Sequence, residues 1–120
     1  MLTITNRETE MLKGNAEMLV LALLAEGAQH GYQIRQELAD RSRQVVQLSF
    51  GTLYPMLDSL ERRKWVRSEW VKVGKVRERR HYTITACGRA ELRERKDQWA
   101  RFVAAITRML SFSPRLSARS

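Results

Sequence analysis

The stretch SFGTLYPMLDSLERRK, Ser49 to Lys64, decides the fold. Leu53, Leu57 and Leu60 recur at intervals of four and three, which is one face of a helix. Its start has two readings. If Ser49 caps the helix, Pro55 falls inside and removes an intrahelical hydrogen bond; if Thr52 caps it, Pro55 sits in the first turn, where none is lost. A kinked or tightened first turn satisfies both. Ser49, Thr52 and Tyr54 place three hydroxyls at this end, able to reach phosphates or base edges, and Gly51 permits close approach of the backbone. The free amides of a helix N-terminus also attract phosphate.

Beyond Lys64 the pattern changes. Trp65, Val66, Trp70, Val71 and Val73, then Tyr82 and Ile84, are β-branched or aromatic and are split by Gly74, which predicts a two-stranded hairpin. Trp65 and Trp70 are expected to pack inward. Thr85 is a good cap for a long helix over Ala86–Leu110, with Leu92, Trp99, Phe102, Val103, Ile106 and Met109 on one stripe. Upstream, Asn15–Glu26 is apolar on nearly every side, as a buried helix would be, and Gly27 is expected to stop it in the left-handed conformation. Tyr32–Ser42 places Tyr32, Ile34, Leu38 and Ala39 on a helical stripe. Three helices, a hairpin and a final helix make a mainly α fold with a small β-hairpin. The order ααα-β-β-α is that of a winged helix-turn-helix followed by a long C-terminal helix. The expected organisation is one compact unit: residues 11–85 form the winged domain, residues 86–110 the final helix, and residues 1–10 and 111–120 are loose.

Charge falls on a particular part of this architecture. Between Arg62 and Arg80 stand nine Lys and Arg residues, opposed only by Glu69 and Glu78, and this span holds +7 of the chain's +9. Such a cluster on a hairpin suits a polyanion through counterion release, although a merely solvated basic face has the same composition. The 120 residues favour one domain, and 43% hydrophobic content is enough for a core. The single Cys87 excludes an internal disulfide; it is read as helix packing and not as a redox switch. The longest apolar run, Met18–Ala25, is too short to cross a bilayer, and MLTITNRETE lacks the order of a signal peptide. The expectation is a soluble cytoplasmic protein without membrane contact.

Catalytic apparatus is missing from the sequence. Cys87, His30 and His81 stand at no metal-ligand spacing, His81 reads as a strand residue, and the six glycines match neither a phosphate loop nor a dinucleotide fingerprint. Ser49 has no nearby His and acid in sequence to activate it. No enzyme, metal or cofactor is expected.

Several motifs together resemble the PadR family of transcriptional regulators, in particular its short members. Leu12-Lys13-Gly14 with Glu17 looks like that family's opening, and Gly31-Tyr32-Gln33-Ile34 resembles its G-Y-x-I signature. Gly51-Thr52-Leu53-Tyr54-Pro55-Met56-Leu57 with Leu60-Glu61-Arg62-Arg63 is similar to its recognition-helix signature, and His81-Tyr82-Thr83-Ile84-Thr85 with Gly88 and Leu92 to the stretch closing its wing. Lys64 departs from the Gly that often follows the recognition helix, which puts a left-handed cap there in doubt.

The resemblance implies that Ser49, Thr52, Tyr54 and Pro55 start a DNA-facing recognition helix with Gly51. It also implies that Lys72, Lys75, Arg77 and Arg79 follow phosphates or an adjacent minor groove. Tyr32 has two readings, a DNA contact or a ring packing the second helix on the third. The apolar stripe Leu92, Trp99, Phe102, Val103, Ile106 and Met109 exceeds what a domain of this size can cover, so a second copy is expected on it. The resemblance implies the same homodimer, with Trp99 as a candidate contact for a small apolar effector. It favours a repressor that binds double-stranded DNA at a pseudo-palindromic operator. The competing reading is a winged-helix module for RNA or protein, because fold alone does not fix function.

Overall fold

The computed structural model describes the backbone of residues 6–75 and 77–111 and the side chains of residues 15–75 and 78–111. The elements are α1 (Asn6–Leu24), β1 (Gln29–His30), α2 (Gly31–Arg41), α3 (Phe50–Arg62), β2 (Val66–Val73), β3 (Arg77–Ile84) and α4 (Ala86–Ser111). Two features differ most from expectation. Helix α1 begins at Asn6, nine residues before the expected start, so residues 6–10 are helical. A two-residue strand, β1, precedes α2 and makes the sheet three-stranded and antiparallel, in the order β1-β3-β2. Residues 1–5 and 112–120, also expected to be loose, lie outside the described residues.

One core joins every helix to the sheet. Val20, Leu21 and Leu24 of α1, Ile34 of α2, Leu53, Leu57 and Leu60 of α3, and Val66 and Tyr82 of the hairpin are all buried. Burying a side chain of this size contributes roughly 1.5–3 kcal/mol, which fixes how α2 and α3 cross. Leu92 of α4 belongs to this same core, so it is covered within the chain and is not part of an external stripe. Gly27 follows α1 with φ +153°, a positive value that favours glycine but lies away from the left-handed helical conformation expected there.

The junction between α3 and the hairpin is locked. Lys64 N–H donates to the Glu61 carbonyl at 2.9 Å and Trp65 N–H to the Leu60 carbonyl at 3.0 Å, the paired bonds of a Schellman cap. Lys64 takes φ +65°, so the left-handed cap forms although glycine is absent. Thr85 caps α4: its hydroxyl accepts from Gly88 N–H at 3.0 Å and donates to the Lys64 carbonyl at 2.7 Å. A methyl at Gly88 would collide with the Trp65 carbonyl, so this position requires glycine for the close approach of α4 to the α3–β2 turn.

Candidate nucleic-acid interface

Helix α3 takes the first of the two sequence readings, a Ser49 cap with Pro55 inside, and not a Thr52 cap. Ser49 is its N-cap, with its side chain accepting from Thr52 N–H at 3.2 Å, and Thr52 N–H also lies 3.1 Å from the Ser49 carbonyl, which tightens the first turn. Pro55 lies inside the helix, and the Gly51 carbonyl that it cannot satisfy is on an exposed residue. Leu53, Leu57 and Leu60 anchor the helix in the core, leaving Gly51, Thr52, Tyr54, Pro55, Asp58 and Arg62 exposed. Arg35 of α2 fixes this end: its Nε donates to the Leu48 carbonyl at 2.8 Å and its guanidinium lies 4.7 Å from the Phe50 ring centroid.

Aromatic rings continue the face. Phe50 and Tyr54 are stacked with centroids 5.5 Å apart, and Tyr32 lies 6.4 Å from Phe50. Tyr32 is 58% exposed, so its ring adds to the surface more than to the packing of α2 on α3. Tyr54 lies against Gly31, where a Cβ would stand 2.5 Å from its hydroxyl oxygen. The hairpin faces this group across a cleft of about 560 Å³. Trp70, expected to pack inward, is 63% exposed on the hairpin side of the cleft. It shares a sheet face with the buried Val66 and Tyr82, but it sits further out along β2, where no helix covers the sheet.

The basic cluster divides into committed and free charges. Arg63 is ion-paired to Glu17 at 2.6 Å and Arg80 to Glu61 at 3.0 Å; Arg80 also donates to Ser68. Arg79 lies half-buried with Nη1 2.7 Å from His30 Nε2. Burial holds the His30 imidazole below its usual pKa, and the charges of Arg79 and His81 push in the same direction. His30 also caps α2, accepting from Gln33 N–H through Nδ1, a role that its sequence context did not signal. Arg62, Lys64, Arg67, Lys72 and Lys75 are exposed, and among the described residues no ion pair holds them. The side chain of Arg77 lies outside the described residues. Of the expected site, the structure brings Ser49, Gly51, Thr52, Tyr54, Pro55 and Tyr32 together and sets Lys72 and Lys75 on the adjacent hairpin.

Two further features border α4. Trp99, Phe102, Val103, Ile106 and Met109 are all exposed, with Trp99 and Phe102 ring centroids 6.0 Å apart. Trp99 lines a second cleft with Glu17, Met18 and Gln98, of about 720 Å³. Cys87, expected to pack, is exposed in the first turn of α4. Among the described residues no group of three His, Cys, Asp or Glu could hold a metal, and no helix is long and apolar enough to cross a membrane.

The model of a known family, the transcriptional regulator PadR-like family, matches residues 20–94, which span α3 and the basic hairpin. The chain belongs to the PadR-like family. Its members are regulators of transcription. Among solved structures, a PadR family transcriptional regulator from Eggerthella lenta is 31% identical, with a TM-score of 0.76 over 88% of this chain and 89% of that one. A PadR-like transcriptional regulator from Bacillus cereus is 25% identical, with a TM-score of 0.77 over 87% and 99% of the two chains. A protein of Lysinibacillus sphaericus described only as uncharacterized is 29% identical over 92 residues, 77% of this chain and 84% of that one. The PadR wing of this chain therefore stands where its sequence placed it, with β1 as a third strand.

Proposed function

We propose that the protein is a homodimeric repressor that binds a pseudo-palindromic operator. Each α3 enters a major groove with its Ser49 end, and the two half-sites lie about 34 Å apart. Ser49, Gly51, Thr52, Tyr54 and Pro55, with Tyr32 beside them, contact bases and phosphates. Lys72, Lys75, Arg77 and Arg79 follow the adjacent backbone or minor groove, Arg79 only after its contact with His30 loosens. The observation that carries this reading is the exposed, Ser49-capped start of α3 flanked by free cations of the hairpin. Its dimeric part rests on the uncovered stripe Trp99, Phe102, Val103, Ile106 and Met109. Trp99, in the cleft between α1 and α4, is the contact for a small apolar effector.

One observation favours the competing reading: Tyr32, Tyr54 and Trp70 offer exposed rings on which unpaired bases of RNA could stack. Binding to a duplex carrying the promoter of the protein's own gene, a scrambled duplex and a matching RNA, from about 50 to 200 mM salt, separates the two. Promoter-selective binding with a slope of several ions supports the regulator; preference for RNA supports the alternative. Transcription from that promoter in vitro then reports repression, which an increase in transcript would contradict.

A further inference from the structure

Asp58 is out of place for a helix whose only task is to meet phosphate. It is exposed on α3, in the stripe Gly51, Pro55, Asp58 and Arg62, whose spacings of four, three and four keep them on one side of the helix away from the core. Among the described residues it makes no hydrogen bond and no ion pair, although Arg62 stands four positions on and the chain carries +9. It borders the cleft between α3 and the hairpin, with Tyr54 on its own helix and Trp70 and Glu78 opposite.

We infer that Asp58 is a specificity-determining residue that reads a base amine. The inference rests on the proposed DNA-binding reading and deepens it. A carboxylate accepts hydrogen bonds and cannot donate them, so no phosphate oxygen can satisfy it. On a duplex, the partners that match it in the major groove are exocyclic amines, chiefly the cytosine N4 amine. With any other sequence under α3, Asp58 is left desolvated against the negative backbone, and that repulsion lowers non-specific binding. Arg62, Lys72 and Lys75 supply attraction to every sequence; Asp58 subtracts from it everywhere except at the matching base.

The test is selection of bound sequences from a random duplex pool by the full chain and by Asp58→Ala and Asp58→Asn. Asp58 is exposed and unpartnered, so both variants should keep the wild-type melting curve. The wild type is expected to enrich a motif with one cytosine per half-site that Asp58→Ala no longer requires. The ratio of affinities for the motif and for scrambled duplex should fall about tenfold in Asp58→Ala, through tighter scrambled binding and weaker motif binding. Asp58→Asn should move that one position toward adenine, the base an Asn amide pairs with. Identical motifs in all three proteins, or an unchanged ratio, overturn the inference while the DNA-binding reading stands. A wild type that enriches no motif overturns both.

Discussion

The Glu17 carboxylate of α1 accepts a hydrogen bond from the Arg63 guanidinium at 2.6 Å, which ties α1 to the residue that ends α3. Its other oxygen accepts from Arg95 of α4 at 3.1 Å, and the Arg63 and Arg95 guanidiniums lie 4.3 and 5.0 Å from the Trp65 ring centroid. One carboxylate thus joins three helices around Trp65, the residue before the hairpin. Burial opposes the charged form of Glu17, but the hydrogen bonds from Arg63 and Arg95 outweigh it and hold the carboxyl below its usual range. A folded-state pKa below the unfolded one contributes stability that is present above about pH 4.3 and lost as the pH falls through the folded value. Glu17→Gln should therefore cost about 1 kcal/mol near neutral pH, discounted for the partial exposure of Arg63. Melting curves of both proteins from neutral pH down to strong acid should converge. A gap that stays constant on acidification would sink the linkage.

Lys64 holds φ +65° in the Schellman cap of α3, a conformation that costs an L residue about 1 kcal/mol and glycine almost nothing. Lys64→Gly should raise stability by about that amount, less the greater entropy that glycine gives the unfolded chain. Chemical denaturation reads it directly. A loss of stability would mean that the lysine side chain contributes more than the strain it carries.

Gly31 and Tyr54 form a contact in which the absence of a side chain seats an exposed ring of the proposed interface. A Cβ at Gly31 would stand 2.5–2.8 Å from the outer atoms of the Tyr54 ring. The ring is 41% exposed and able to swing outward, so Gly31→Ala should fold with stability within about 1 kcal/mol of wild type. The displaced ring should weaken duplex binding several-fold at unchanged salt slope, because no charge is altered. Equal affinity for the two proteins would remove Tyr54 from the interface.

How much of this was legible in advance depended on whether a feature is local. The Ser49 cap, the leucine face of α3, the hairpin around Gly74 and the Thr85 cap follow from neighbouring residues, and the structure has them all. Strand β1 is only Gln29–His30 and exists because β3 lies beside it, so no alternating pattern announces it. Trp70 carries the apolar side chain of an inward residue, and only the reach of β2 beyond the helices exposes it. The basic cluster was visible as composition, but that Arg63 and Arg80 are neutralised by Glu17 and Glu61 depends on contacts 46 and 19 residues apart. Leu92 fits the stripe of α4 by spacing and belongs to the core by depth.

Lys72 and Lys75 are exposed cations near the tip of the hairpin, and among the described residues no acid pairs with either. If they meet phosphates, replacing both by alanine should reduce the log–log salt slope by about 2 and weaken promoter and scrambled duplex alike. Titration of both duplexes across salt measures this. A slope equal to that of wild type would leave the hairpin a solvated basic face.

The exposed stripe of α4 makes the dimer the sharpest remaining prediction. The Trp99 and Phe102 ring centroids lie 6.0 Å apart with the ring planes tilted by 50°, and Val103, Ile106 and Met109 extend the surface along the same helix. Isolated in water this surface is unfavourable, and a second α4 related by a two-fold axis would cover both copies at once. Aromatic residues at the centre of such a contact dominate its energy, at about 2 kcal/mol or more for loss of a tryptophan, which corresponds to about 30-fold in dissociation constant. Trp99→Ala should thus shift sedimentation at micromolar concentration toward monomer. It should leave the helical content unchanged, since the ring is 41% exposed in one chain and contributes little to its core. Operator binding should fall with it, because two half-sites held by one dimer gain from effective concentration that separate monomers lack. A variant that sediments as an unchanged dimer would place the interface elsewhere, and a wild type that sediments as a monomer would leave the stripe to some other partner.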